Sequence, residues 1–214
     1  MSKIDYSLMF VTDDRIRDHK TFFKVLEASL KGGATVIQLR EKRSSTLFFY
    51  QRALKTKMLC RAYNVPLLIN DRIDIALSIN ADGVHIGQKD IPYTVARKLL
   101  GPDKIIGLSV SNTQQAVEAH TLGSDYIGVS PVFSTFTKIS GLDPPLGVEG
   151  LKAIRPLFSG PVVCIGGIHK NNVMLLTGNG ADGIAVVSAI SRAENPEKET
   201  KQLKEMVCQT GLKK

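Results

Sequence analysis

Residues 36–42, VIQLREK, place charged and amide side chains at the end of an apolar stretch. Successive side chains of a β-strand point to opposite faces, so Gln38, Arg40 and Lys42 share one face here. An amide, a guanidinium and an ammonium on the same face are donors suited to an anion. The alternative is a strand that runs out into solvent, and the rest of the chain has to decide between the two.

Two carboxylates follow other apolar stretches. Asp71 comes directly after PLLIN, and Asp90 closes the segment HIGQKD. Magnesium is a hard ion that proteins often hold with one or two carboxylates plus the phosphates of a substrate. Asp71 and Asp90, together with the nearby cations, therefore predict a Mg²⁺ site for a phosphorylated substrate. The plainer alternative is that these carboxylates only pair with the cations.

A second anion signal follows the stretches PVVCI and GIAVV. Gly166 and Gly167 allow main-chain amides to approach a ligand, and Val187 and Ser188 open a helix. The loops after the last two strands of (β/α)8 barrels commonly bind phosphate through amides and a helix N-terminus. The sequence thus predicts two anionic groups, one bound to metal and one to amides.

The elements that must position these residues recur along the chain. The segments GATVI, NADGV, GSDYI and GADGI each join a turn to a strand, and they are spaced by about two βα units of roughly 30 residues. Eight apolar stretches, most of them continuous, indicate parallel strands covered on both faces. They cover residues 7–12, 35–40, 66–70, 83–87, 104–109, 125–130, 161–165 and 183–187. We predict a closed (β/α)8 TIM barrel, with residues 1–214 as a single domain.

Helical patterns lie between the strands. Apolar residues at three-to-four spacing predict two core-facing stripes: Phe22, Val25, Leu26 and Leu30, and then Leu47, Tyr50, Leu54 and Met58. Residues 111–114, SNTQ, have the form of a capping box that opens the helix after the fifth strand.

The amino-acid composition limits the classes of partner that we expect for this protein. The chain is 43% hydrophobic and 22% charged, and no apolar run approaches the ~20 residues that span a bilayer. Its net charge of +8 suits phosphorylated metabolites, while the basic residues are scattered without interleaved aromatics, so we expect neither nucleic acid nor membrane as a partner. Cys60, Cys164 and Cys208 have no metal-type spacing, which fits a reducing compartment, and we expect a cytoplasmic protein. The oligomeric state stays open, with a homo-oligomer as one option.

Taken together, the motifs QLREK, INDR, DGVHIGQKD, GLSV, TFTK, IGGI and VVSAI resemble the thiamine phosphate synthase family over nearly the whole chain. That family is a (β/α)8 barrel that joins a pyrimidine diphosphate to a phosphorylated thiazole and releases pyrophosphate, with Mg²⁺ as cofactor. The resemblance implies the same reaction here, with pyrophosphate leaving before the new bond forms. The sequence offers no obvious nucleophile–base pair, as such a reaction requires none.

The resemblance also implies a role for each matching residue. Asp71 and Asp90 would hold Mg²⁺, and Arg40, Ser109 and Lys138 would be catalytic. The implied substrate-binding residues are Gln38, Leu39, Arg40, Glu41, Lys42, Asn70, Ser109, Thr135, Phe136, Thr137, Lys138, Gly167, Val187 and Ser188. Within that set, the pyrimidine diphosphate would be held by Gln38, Arg40, Lys42, Asn70, Ser109 and Lys138, and the thiazole phosphate by Thr135, Thr137, Gly167, Val187 and Ser188.

The chain departs from the family pattern at Ser130 and Ser134, where glycine and proline are usual, and this predicts a looser loop after the sixth strand. Two other functions stay open. A thiazole tautomerase of the same family characteristically has a histidine where this chain has Pro131. The other alternative is a non-catalytic ligand-binding barrel.

Several further residues are predicted to be structural. We expect His85 to be a hydrogen-bonded interior histidine and Cys164 to be a small buried hydrophobe. Asp82, Asp125 and Asp182 precede strands, at the end of the barrel away from the expected site, and we expect them to serve as turn residues.

Overall fold

Eight parallel strands close into a barrel in chain order, with β1 paired to β8. The computed structural model describes residues 4–135, 144–176 and 178–209. The strands are β1 (Leu8–Val11), β2 (Val36–Leu39), β3 (Leu67–Asn70), β4 (Gly83–Ile86), β5 (Ile105–Val110), β6 (Tyr126–Val129), β7 (Val162–Ile165) and β8 (Gly183–Val186). The predicted (β/α)8 barrel is confirmed, and β5 alone extends beyond its predicted stretch, by one residue.

Helices cover the outside of the barrel. They are α1 (His19–Lys31), α2 (Thr46–Ala62), α3 (Ile73–Ser78), α4 (Tyr93–Leu100), α5 (Thr113–Leu122), α6 (Gly147–Ile154), α7 (Ser188–Ser191) and α8 (Pro196–Gln209), with 3₁₀ turns at Arg155–Leu157 and Val173–Leu176. Within the described ranges, no helix combines the length and the apolar character that a membrane crossing requires.

The pleat of the strands divides the core into two layers. Met9 and Val11 of β1 point into the barrel, whereas Leu8 and Phe10 pack between the sheet and the helices. The same alternation in β2 sends Gln38 inward, where its Nε2 donates to Met9 Sδ at 3.4 Å, and leaves Leu39 outside. Because all strands are parallel, their carboxyl ends surround one mouth.

The two predicted apolar stripes have opposite outcomes. The stripe on α1 is confirmed, since all four of its residues are buried. The stripe on α2 is wrong: Leu47 is 64% exposed, Leu54 37% and Met58 73%. The buried face of α2 is instead formed by Phe49, Arg52, Ala53, Thr56 and Cys60. A face that includes an arginine can be buried here because the charge of Arg52 meets the carboxylate of Glu41 inside the protein, which helical spacing alone does not reveal.

The capping box after β5 is shifted by one residue from its predicted position. Asn112 is the N-cap of α5, and its side chain accepts from Gln115 N at 2.9 Å. Gln115 Oε1 in turn accepts from Ser111 N at 2.7 Å. The N-cap is therefore an asparagine where the sequence suggested the preceding serine, and the side chain of Gln115 bonds to that serine's N–H.

The recurring segments at the amino ends of the even strands share one contact. Thr35 Oγ1 accepts the main-chain N–H of Leu8 in β1 at 3.0 Å. Asp82, Asp125 and Asp182 accept the N–H groups of Leu67, Ile106 and Val162 in β3, β5 and β7, at 2.7, 2.7 and 2.8 Å. The same aspartates pair with Lys57, Arg97 and Arg155, respectively. Their predicted structural role is confirmed, because each joins an even strand to the odd strand before it.

Candidate active site

One pocket of about 590 Å³ lies at the carboxyl ends of the strands. The predicted site residues that line it are Gln38, Arg40, Lys42, Asn70, Asp71, Asp90, Ser109, Thr135, Gly167, Val187 and Ser188. Leu39 and Glu41 do not line it, because the pleat turns them toward the helices. Phe136, Thr137 and Lys138 lie outside the described residues, so their roles stay predictions.

The two cations of VIQLREK are held by carboxylates. Arg40 Nη1 donates to Asp14 Oδ1 at 2.7 Å, and Lys42 Nζ donates to Asp71 Oδ2. The Arg40 side chain is 21% exposed and that of Lys42 is 44% exposed, so both are reachable from the pocket. Each cation can exchange its protein carboxylate for a substrate anion without crossing the core.

Asp71 and Asp90 form a carboxylate pair on the same wall. Asp71 has φ 62, a left-handed conformation that is uncommon for a non-glycine residue and is often found at functional sites. Burial raises the pKa of Asp90, and so do a hydrogen bond with Asp71 and the negative charge of Asp71, while Gly87 N donates to Asp90 Oδ2 at 2.7 Å. Two adjacent carboxylates of this kind favour a cation between them.

This donor set fits Mg²⁺ and does not fit a metal held entirely by the protein. The described residues contain no group of three or more His, Cys, Asp or Glu side chains suited to a metal ion. Asp71 and Asp90 supply hard oxygen ligands, and magnesium commonly completes its octahedron with water and substrate phosphates. The carboxylate pair could therefore hold Mg²⁺ only together with an anionic ligand or water.

A hydrogen-bonded chain crosses the floor of the pocket. His85 Nε2 lies 2.9 Å from Ser109 Oγ, and His85 Nδ1 lies 2.8 Å from Tyr126 Oη. Gly107 makes room for this arrangement, since a Cβ there would come within 2.1 Å of the Tyr126 ring. The expectation of a hydrogen-bonded interior His85 is confirmed.

The Ser109–His85 contact places a hydroxyl beside an imidazole, the spacing that a nucleophile–base pair would have. Burial lowers the pKa of His85 to about 4, so its imidazole is neutral near pH 7 and is a weak base. The other ring nitrogen of His85 contacts the hydroxyl of Tyr126 and not a carboxylate. Burial raises the pKa of Tyr126, so this hydroxyl stays neutral. The geometry of a nucleophile–base pair is present, but its electrostatics suit a neutral hydrogen-bonding chain.

The opposite wall is built from main chain. Gly166 and Gly167 have φ 107 and 63, and they pack against the loop after β6. A Cβ at Gly167 would lie 2.3 Å from Ser134 O, so this close approach requires glycine. Val187 and Ser188, at the start of α7, line the same wall.

The described part of the loop after β6 is held by main-chain hydrogen bonds. Val132 N donates to Ile165 O, and Phe133 N donates to Gly166 O, both at 3.0 Å. Leu146, beyond the undescribed residues 136–143, returns to this loop and donates its N–H to Pro131 O at 2.9 Å. The predicted looseness from Ser130 and Ser134 stays a prediction.

Comparisons with known proteins identify the family. A sequence model of the family described as "Thiamine monophosphate synthase" matches residues 8–190. The chain belongs to this family. It is 47% identical to "Thiamine-phosphate synthase" of Clostridium novyi (strain NT) over 94% of this chain and 98% of that protein. The corresponding protein of Methanobrevibacter smithii is 49% identical over 92% of this chain and 93% of its own length.

A solved structure extends the agreement to three dimensions. "Thiamine phosphate pyrophosphorylase" from Pyrococcus furiosus superposes with a TM-score of 0.87 at 37% identity, covering 97% of this chain and 98% of that one. As a member of the thiamine monophosphate synthase family, the chain is an enzyme of the transferase class.

Two features of this family member were missed by sequence reasoning. The loop after β1 brings Asp14 to Arg40, and it places Asp13 against Arg15 at 2.6 Å. Tyr126 joins the floor of the pocket from within an apolar strand. Asp13 and Asp14, directly after the first strand, were a usable signal. The carboxyl ends of the other strands were already expected to face one mouth, so residues after the first strand should lie there as well.

Proposed function

We propose that the enzyme condenses 4-amino-2-methyl-5-(diphosphomethyl)pyrimidine with 4-methyl-5-(2-phosphoethyl)thiazole to give thiamine monophosphate and pyrophosphate. The observation that carries this proposal is the division of one pocket into two walls. Cations and a carboxylate pair form one wall, and glycine-rich main chain forms the other. Two substrates that each carry phosphate need two such walls facing one another.

The first wall neutralises the leaving group. As the C–O bond between the pyrimidine methylene and the diphosphate breaks, both bonding electrons leave with pyrophosphate. Arg40 and Lys42, which line the pocket, would stabilise that charge, and Lys138 would join them by resemblance. Preorganised donors aimed at developing charge are commonly the largest contribution to catalysis.

Asp71 and Asp90 would hold the magnesium ion that this proposal includes. When bound, Mg²⁺ supplies Lewis-acid stabilisation of the pyrophosphate oxygens. The repulsion that raises the pKa of Asp90 supports this assignment, because a cation between the two carboxylates would relieve it.

The second wall orients the nucleophile. Main-chain groups of Gly167, Val187 and Ser188, with Thr135, would hold the thiazole phosphate. The lone pair of the thiazole nitrogen then forms the C–N bond to the methylene carbon. No proton has to be transferred, which agrees with a pocket whose interior histidine is a weak base. Holding the two reactants in line provides the remaining catalysis.

A pyrophosphate-release assay tests the proposal. We expect release when both substrates and Mg²⁺ are present, together with thiamine monophosphate in equal amount. Omitting either substrate, or chelating the metal with EDTA, should abolish release. Isomerised thiazole phosphate without condensation would favour the tautomerase, and tight binding without release would favour a non-catalytic barrel.

A further inference from the structure

The side chain of Arg52 is fully buried behind the cationic wall of the pocket. Arg52 lies on α2, and both it and its carboxylate partner Glu41 have side-chain exposures of 0%. Its guanidinium lies over the rings of Phe22 and Phe48, with Cζ 4.1 and 4.5 Å from the two ring centroids. The rings enclose the cation and restrict its orientation.

The guanidinium joins two loops that both reach the pocket. Arg52 Nη1 donates to Glu41 Oε1 at 2.5 Å and to Ile16 O at 3.1 Å, and Nη2 donates to Arg17 O at 3.0 Å. Glu41 belongs to the loop after β2, and the two carbonyls belong to the loop after β1. Arg52 therefore joins the two loops from their buried side, while Arg17 Nη2–Arg43 O at 2.9 Å and Arg40–Asp14 join them nearer the surface.

The same two loops carry the groups that face the anion. Glu41 stands between Arg40 and Lys42, and the alternation that turns its side chain toward the helices turns theirs toward the pocket. Asp14, on the loop after β1, is the carboxylate that pairs with Arg40. A shift of either loop would thus change where both cations meet a ligand.

Stability alone is a poor explanation for this buried pair. Arg52 Nε and Glu41 Oε2 have no hydrogen-bond partner among the described protein atoms, so the pair is incompletely satisfied. Arg17 Nη1 approaches Glu41 Oε2 only to 4.0 Å. Replacing a buried ion pair by apolar residues is often neutral or stabilising. A further role is therefore needed to explain the arrangement.

We propose that Arg52 is a positioning residue that acts through Glu41 and the loop after β1 to hold Arg40 and Lys42 in the geometry that binds the diphosphate. This inference rests on the proposed function only in its choice of substrates. The inference predicts different effects on the two substrates, because none of the described contacts of Arg52 reaches the second wall of the pocket. Binding of the pyrimidine diphosphate should depend on Arg52, and binding of the thiazole phosphate should not.

The chain offers a matched control on the same helix. Lys57 also lies on α2 and also pairs with an aspartate, but its partner Asp82 is at the amino end of the barrel. Both Arg52→Met and Lys57→Met remove one cation from α2. Only the first of them removes contacts to the loops at the mouth.

The experiment compares Arg52→Met, Lys57→Met and the double variant Arg52→Met/Glu41→Met. For each, KM of both substrates, kcat and Tm are measured, and the affinity for inorganic pyrophosphate with Mg²⁺ is measured by calorimetry. We expect Arg52→Met to raise KM for the pyrimidine diphosphate, and to weaken pyrophosphate binding, roughly tenfold or more. KM for the thiazole phosphate should change less than about twofold, since none of the described hydrogen bonds of Arg52 reaches Gly167, Val187 or Ser188.

The double variant separates positioning from folding. It leaves no unpaired buried carboxylate, so Tm should recover toward the wild-type value. The raised KM for the diphosphate should persist, while Lys57→Met should lower Tm and leave both KM values within about twofold. Arg52→Lys keeps the charge but not the three contacts, and it should recover only part of the pyrophosphate affinity.

Two results would overturn the inference. The first is a double variant that regains wild-type Tm and wild-type affinity for pyrophosphate. The second is that Arg52→Met and Lys57→Met each raise the KM of both substrates, and that the increase is the same in the two variants. If Arg52→Met alone fails to fold, the double variant decides. Wild-type protein that binds pyrophosphate but releases none from the two substrates would contradict the proposed function, and the binding comparison would still test Arg52.

Discussion

The two ends of the barrel use the same residue type in opposite ways. At the amino end, Asp82, Asp125 and Asp182 each accept a main-chain N–H from the neighbouring strand and pair with a lysine or arginine. At the mouth, Asp71 pairs with Lys42 and Asp90 accepts the N–H of Gly87, but the two carboxylates also lie against each other. Burial, a hydrogen bond with Asp71 and the charge of Asp71 raise the pKa of Asp90.

The difference shows how to separate structural from functional carboxylates. A carboxylate whose acceptor capacity and charge are met within the protein contributes to the fold and has no need of a ligand. A carboxylate held beside another carboxylate costs free energy unless a cation or proton arrives. In a (β/α)8 barrel the chemistry gathers at the carboxyl ends of strands and stability at the amino ends, and this chain follows that division.

The largest expected effect comes from the mouth. Asp90→Asn should reduce turnover on the order of 10²–10³-fold, because it removes one of the two carboxylates proposed to hold Mg²⁺ and a preorganised charge. The magnesium concentration that gives half-maximal activity should rise as well. The free energy of unfolding should stay level or increase, since the repulsion with Asp71 disappears. A large loss of stability in urea unfolding would break the comparison.

A smaller effect, of the opposite kind, is expected at the amino end. Asp182→Ala leaves the main-chain N–H of Val162 and the guanidinium of Arg155 without their carboxylate. The free energy of unfolding should fall by about 1–3 kcal/mol, the usual cost of a partly buried donor left without its partner. Urea unfolding measures the change in the free energy of unfolding, and steady-state kinetics measure the change in turnover. A loss of turnover as large as that expected for Asp90→Asn would contradict a purely structural role.

The smallest expected effect is on the pH dependence of stability, through Asp5 just before β1. Burial would raise the pKa of Asp5, but hydrogen bonds from Ser7 and Lys204 outweigh it and lower the pKa to about 2. Because the folded pKa lies below the unfolded one, this carboxylate stabilises the protein above about pH 4, and the contribution is lost as the pH falls toward 2. Asp5 is 41% exposed, so solvent screening limits the contribution to less than about 1 kcal/mol.

Asp5→Asn provides the test of that contribution. The variant should be slightly less stable than wild type at pH 6, and the difference should shrink as urea unfolding is repeated toward pH 2.5. Lys204→Met is the matched variant, since it removes the cationic partner and should show the same trend. A difference that grows on acidification would reverse the sign of the assignment.

Much of the architecture follows from local rules that a sequence carries by itself. Eight continuous apolar stretches determined the number and direction of the strands, because parallel strands buried on both faces need them. Once the strands run the same way, residues at their ends must share one mouth, which brought Arg40, Asp71 and Asp90 together. The alternation of the pleat also determined that Gln38, Arg40 and Lys42 share a face.

Other features depended on neighbours far apart in the chain. The buried face of α2 was decided by Arg52 meeting Glu41 and two carbonyls of the loop after β1, so a face that contains an arginine is inside while Leu47, Leu54 and Met58 are outside. The chain from Ser109 through His85 to Tyr126 joins three strands, and the raised pKa of Asp90 depends on its burial and on the neighbouring Asp71. Burial and charge pairing are properties of the assembled interior, where desolvation sets the cost of each group. Spacing along one segment cannot encode them.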